Sequence, residues 1–295
     1  MASVTQIANG LKQPKGGYIP ISWFEEISLT AENELNDEEN ISAALVGLVV
    51  DYMTRFMLTK NVEDSFRISV WGYQNRELLC ANERIEEDKK NKVEINTLLN
   101  NIKGLDDWSI TCACKAVSYD QWYRDPSIAT KTIQAKYIWP NKETKDNIKE
   151  MVRRSLRFIE KYGPITESGF DFISLNEDGS ICKSGYTQTV DNGDGDFLTK
   201  DCMWDLTVIK NKPTTKHTMQ LIMYYLMGKH SELQCYKDVD KIGIYNPRLN
   251  KAYILAVKDI PKETLIDIEK NVIGYRPVYL ILQNFRYIRA SNMFC

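Results

Sequence analysis

Between Gly193 and Tyr224 the chain strings together Asp194, Asp196, Asp205, Lys216, Gln220 and Tyr224, and these residue types suit one chemistry. Two carboxylates held a few ångströms apart repel unless a cation joins them. A hard ion with oxygen ligands, Mg²⁺ or Mn²⁺, is the natural cofactor. Such an ion polarises a phosphoryl oxygen and makes an attacking hydroxide from bound water near neutral pH. A lysine beside it would orient the water and stabilise the developing negative charge. The expected reaction is metal-assisted hydrolysis of a phosphodiester.

The elements must then bring these groups together. DGDFLT at 194–199 and CMWDLTVI at 202–209 read as short strands joined around Lys200 and Asp201. Side chains alternate along a strand, so Asp194 and Asp196 face one way, and Asp205 and Thr207 share a face. Paired as a hairpin, the strands make Asp196 and Asp205 converge. A helix over about 214–229, capped by Thr214 or Thr215 and ended by Gly228, follows. It sets Lys216, Gln220 and Tyr224 on one face at i, i+4 and i+8.

Further strands are expected at 169–175, 182–190, 241–246 and 252–257, with turns at 176–179 and 191–193. VYLIL at 278–282 reads as a last strand and 262–272 as a helix ended by Gly274. An amphipathic helix is expected over 38–59, capped by Asn36 or Asp37, and 61–79 continues in a mixed pattern. Residues 141–163 form a clear helix closed by Gly163. Its Lys149, Arg153, Arg157 and Lys161 make a basic ridge, read either as a phosphate track or as a solvated face. Residues 108–124 read as buried core, 81–94 as a solvated charged stretch and 1–20 as a loose arm.

Composition narrows the class. The chain has 295 residues, 43% hydrophobic and 26% charged, with a formal net charge of -2. That is enough to bury a real core, and a nucleic-acid partner must be met by a local site rather than by overall charge. The longest apolar run, AALVGLVV at 43–50, is too short for a membrane span, and no signal-peptide order opens the chain. Seven scattered cysteines fit reduced thiols and a cytoplasmic setting. Cys112 and Cys114 lack a second ligand pair at zinc spacing. No Walker loop, nucleophile elbow or dinucleotide fingerprint is present.

The order helix, acidic meander, helix, strand resembles the PD-(D/E)XK nuclease superfamily, and most closely its RecB and lambda-exonuclease-like branch. Gly193-Asp194-Gly195-Asp196 is similar to the first motif of that branch, Asp205-Leu206-Thr207 to its Asp-x-Lys, and Gln220 to Tyr224 to its Gln-x-x-x-Tyr. Longer segments, VVDYMTRFML and IYNPRLN among them, resemble bacterial and prophage-type proteins. The resemblance implies an α/β fold with a mainly helical accessory region over 1–140 and a nuclease-like core over 141–295. It implies DNA as partner and substrate, and Asp196 and Asp205 as metal ligands. An acidic residue of the preceding helix, Glu160 or Glu150, would join them.

Thr207 departs from the pattern, standing where the lysine is expected. A hydroxyl hydrogen-bonds but carries no charge, and loss of a positioned cation costs on the order of 3 kcal/mol of transition-state stabilisation. Lys216 could reach back from the helix, or Lys210 from a bulged strand. Otherwise catalysis is lost and the fold is kept to bind DNA or a protein partner, for example in phage–host conflict. A plain surface hairpin with solvated aspartates is the remaining alternative.

Overall fold

The computed structural model describes residues 2–30, 33–83, 93–124, 134–172, 174–175, 180–182, 185–231 and 233–275. Its centre is a six-stranded mixed sheet. In chain order the strands are β1 (Glu25–Ser28), β2 (Glu167–Ser168), β3 (Phe197–Leu198), β4 (Cys202–Leu206), β5 (Lys241–Asn246) and β6 (Lys251–Ala256). They lie in the order β1-β6-β5-β4-β3-β2. All pairs are antiparallel except β4 and β5, which run parallel. A parallel pair needs a crossover, and here it carries the helix Thr215–His230.

Five helices matter to the site: α1 (Val4–Gly10), α2 (Ala43–Thr59), α3 (Arg67–Glu83), α4 (Lys142–Tyr162) and α5 (Thr215–His230). Strand alternation sends side chains to two layers. Trp204, Tyr245, Ala252 and Phe197 pack with Phe158 of α4 on one face, where Phe158 stacks on Tyr245 at 4.0 Å between ring centroids. Met203, Leu198, Ile242, Ile244 and Tyr253 pack with Met219, Ile222 and Met223 of α5 on the other. Asp205 and Asp196 follow this alternation and belong to the α5 face. A third cluster joins α2 to α4 and to the buried helix Asp107–Val117.

The strand expectations at 241–246 and 252–257 and the helix at 214–229 match these elements to within a residue. Among the described residues the one at 169–175 is realised only as Ser174–Leu175, preceded by Glu167–Ser168, and that at 182–190 only at its ends, as Ile181–Cys182 and Val190–Asn192. The hairpin is shorter than expected, but its register holds. The segment 108–124 is largely buried as expected, except that Trp108, Tyr123 and Arg124 are exposed. Strand 278–282 and most of the charged stretch 81–94 lie outside the described residues.

Four expectations are corrected. The first residues are no loose arm: Ala2–Ser3 pairs with Val190–Asn192, Ser3 closes a capping box with Gln6, and α1 buries Val4 and Ala8. Helix α2 begins after Ser42, not near Asn36, because the Ser42 hydroxyl accepts from the free Leu45 N–H in the first turn. Gly228 is no helix stop; α5 runs on to His230, and the Tyr236 ring lies 2.6 Å from where a Gly228 Cβ would be, so the glycine serves close packing. Residue 140 divides no structural unit, since β1 from the first part pairs with β6 of the second.

Candidate active site

The hairpin of β3 and β4 pairs Leu198 with Met203 and Phe197 with Trp204. One step further along the same register sets Asp196 against Asp205. The Leu206 N–H donates to Asp196 Oδ2 at 2.5 Å, which pins that carboxylate at the end of the hairpin. Helix α5 starts beside it. Thr214 caps the helix, its N–H donating to His217 Nδ1 at 3.0 Å.

These elements close around a cleft of about 470 Å³. Asp194, Asp196, Asp205, Thr207, Lys216, Gln220 and Tyr224 all line it. Gln220 Nε2 donates to Tyr224 Oη at 3.3 Å, so the polar stripe expected on α5 is an internal pair facing the acidic hairpin. Burial holds the Tyr224 phenol protonated, and Asp194, Asp205 and Asp196 push the same way. Lys216 is exposed in the first turn of α5 and has no ion-pair partner among the described residues.

Helix α2 supplies the groups that the motifs did not reveal. Asp51 and Arg55 project from it into the cleft. Arg55 donates to Asp51 through Nε at 2.9 Å and Nη2 at 2.8 Å, and Nη2 also reaches Asp196 Oδ1 at 3.3 Å. Burial works against the Arg55 charge, but the two carboxylates hold it protonated. Asp51 and Arg55 sit four residues apart in an otherwise apolar stretch, VVDYMTRF, and that isolated charge pair was the available signal.

A second arginine is held at the mouth. Asp120 is buried and accepts from Tyr52 Oη and Ser69 Oγ, both at 2.6 Å. Burial raises its carboxyl to about 6. Arg124 lies between this aspartate, at 3.8 Å, and Asp194, at 3.9 Å. With Arg67 and Lys216, the cleft presents four carboxylates and four cationic side chains.

Asp205 is different from the other carboxylates. It is 9% exposed and has no hydrogen bond or ion pair among the described residues. Burial first, and then the charge of Asp51, push its carboxyl up to about 7. Asp196 is also raised, by burial and by Asp51 and Asp205, against the pull of Arg55 and the Leu206 N–H. An unpartnered buried carboxylate beside two others has the donor chemistry that Mg²⁺ or Mn²⁺ takes. Arg55 meanwhile occupies oxygens of both Asp51 and Asp196. Among the described residues no group of three acidic, histidine or cysteine side chains is arranged to hold an ion.

The structure does not bring the other candidates here. Glu160 is exposed near the end of α4 and does not line the cleft. Glu150 is buried on α4 against Arg154, with Nε at 3.2 Å, and lines a different hollow. The helix-borne acidic residue that lines the cleft is Asp51 of α2. Lys210 points outward, 3.6 Å from Asp37. The basic ridge on α4 is largely neutralised: Lys149 pairs with Asp107 and Asp146, and Arg157 meets Glu150 at 3.2 Å. None of its members lines the cleft. Cys112 and Cys114 are buried free thiols, raised by burial to about 11 and about 12.

No helix among the described residues is long and apolar enough to cross a membrane. No protein-family model, curated protein or solved structure matches the chain.

Proposed function

We propose that this cleft hydrolyses phosphodiester bonds in DNA, on a core of the PD-(D/E)XK nuclease type, in the cytoplasm. The observation that carries the reading is the hairpin register. It sets Asp196 against Asp205 in the same cleft as Lys216, Gln220 and Tyr224. Three short motifs separated along the chain would have no reason to share one cleft in a plain surface hairpin.

In this reading Asp205 and Asp196 would hold Mg²⁺ or Mn²⁺, with Asp51 in place of Glu160. The ion, when bound, would polarise the phosphoryl oxygen and acidify an attacking water. The chain's own groups do the rest. Lys216, unpaired at the start of α5, takes up the charge role that Thr207 cannot fill. Arg55 and Arg124 place further positive charge where the phosphate gains negative charge. Gln220 and Tyr224 form a fixed polar pair that orients the groups touching the phosphate.

Arg55 also favours a second reading. Its guanidinium already bridges Asp51 and Asp196, so part of the negative charge of the cleft is balanced without an ion. A protein that only binds DNA or a protein partner needs no more. Incubation with linear and circular DNA in Mg²⁺ or Mn²⁺ separates the two. Cleavage by the wild type, lost in Lys216→Ala, supports the enzyme. A silent wild type with an active Thr207→Lys shows a metal scaffold kept for binding.

A further inference from the structure

Trp71 and Tyr123 are large aromatic side chains left 42% and 38% exposed. Their ring centroids are 5.4 Å apart with the planes inclined at 40°. Trp71 stands on α3 and Tyr123 on the short helix Asp120–Arg124, and these two helices pack on each other. Trp122 beneath is buried, so the helix pair already has its core contact. Tyr123 and Trp71 lie on top of that contact rather than inside it.

Their position relative to the cleft matters. Arg67 and Ile68, four and three residues before Trp71, line the cleft, and so does Arg124, next to Tyr123. Residues four apart on a helix are surface neighbours, with Cβ atoms about 5–6 Å apart. Trp71 therefore neighbours Arg67 on α3, and Tyr123, packed on Trp71, directly precedes Arg124 in the chain. Neither arginine is used up there: Arg67 donates from Nη2 to the Gly169 carbonyl at 2.6 Å and is otherwise 3.7 Å from Asp64, and Arg124 lies 3.3 Å from Tyr52 Oη, 3.8 Å from Asp120 and 3.9 Å from Asp194. A guanidinium carries five N–H donors, so each arginine keeps donors to offer a phosphate. Exposed aromatic faces beside arginines are the elements that bind single-stranded nucleic acid, bases on the rings and backbone on the charges. A base paired in a duplex has no free face for such a platform.

We infer that Trp71 and Tyr123 form a stacking platform for an unpaired nucleobase whose phosphate is held by Arg67 and Arg124, so that DNA enters the cleft as a single strand. This deepens the phosphodiesterase reading and rests on it.

The test is binding of the full chain to a fluorescein-labelled oligothymidylate and to a duplex of equal length, by anisotropy, without divalent ions. The expected result is preference for the single strand and on the order of tenfold weaker binding in Trp71→Ala and in Tyr123→Ala. Trp71→Phe should retain most of the affinity. An abasic position scanned along the strand should, at one place, abolish the difference between Trp71→Ala and the wild type. Both side chains are substantially exposed, and unchanged thermal unfolding would show that the variants are folded. Equal affinity in wild type and both alanine variants, preference for duplex, or no binding by the wild type would each overturn the platform. Mn²⁺-dependent cleavage that needs Asp205 but ignores Trp71 and Tyr123 would overturn the platform alone. Absence of both binding and cleavage would overturn the cleft reading with it.

Discussion

The Arg55 guanidinium bridges Asp51 and Asp196, 2.8 Å from one and 3.3 Å from the other. Asp205, on the neighbouring strand, is left without a partner among the described residues. One arginine thus serves two of three clustered carboxylates, and the third has only the cleft to face.

Removing Arg55 should expose how these charges are balanced. Arg55→Ala leaves Asp51 and Asp196 without the guanidinium that bridges them, and loss of one partner from a largely buried pair costs about 3 kcal/mol. Thermal unfolding should show a lower midpoint. Mn²⁺ should then stabilise Arg55→Ala more than the wild type, because the ion no longer competes with the guanidinium. An equal Mn²⁺ response in both proteins would mean that Arg55 and the ion do not share the site.

Asp205 makes stability depend on pH with a definite sign. Its carboxyl titrates near 7 in the fold and near 4 in an unfolded chain. The folded state therefore holds the proton more tightly. The stability tied to that proton is complete below about pH 4 and is lost as pH rises through about 7. Asp205→Asn removes the loss. It should be more stable than the wild type at about pH 8, by on the order of 2–4 kcal/mol, and no more stable near pH 4. Urea unfolding at both pH values measures this, and a variant less stable than the wild type at the higher pH would contradict it.

Gly195 sits between Asp194 and Asp196, and a Cβ there would run into the Phe170 ring. Gly195→Ala should cost about 1–3 kcal/mol through overpacking and shift Asp196 away from Arg55. Denaturant midpoints check the first effect. A stability unchanged from the wild type would show that Phe170 yields freely.

Thr207→Lys places a cation on the cleft wall, where the wild type has a hydroxyl. If Lys216 fills the role imperfectly, the substitution should raise the cleavage rate on the order of tenfold to a hundredfold. Steady-state rates on DNA in Mn²⁺ test this. A slower variant would show that Lys216 and the arginines already saturate the need for charge.

The parts of the site visible in sequence were those set by local periodicity. Alternation over Asp194–Thr207 and the i, i+4 spacing of Gln220 and Tyr224 specify faces without reference to distant residues. Asp51 was hidden because it reaches the cleft from a helix about 150 residues earlier, and only tertiary packing brings it there. Glu160 was misplaced for the same reason, since α4 backs the opposite face of the sheet, behind Trp204 and Tyr245. Strand β1, Glu-Glu-Ile-Ser, pairs on one side only and is mostly exposed, so it lacks the apolar alternation that marks a strand. Helix α1 is seven residues long, too short to stand by propensity; it is held by docking on α5.

Cleavage of DNA in Mn²⁺ by the wild type and by Asp205→Asn, both shown to be folded at the assay temperature, tests the central claim most directly. Metal-dependent cleavage by the wild type, reduced at least a hundredfold in Asp205→Asn, is the expected result. Cleavage that survives the substitution, or that proceeds equally without a divalent ion, would contradict a metal-assisted reaction at Asp205.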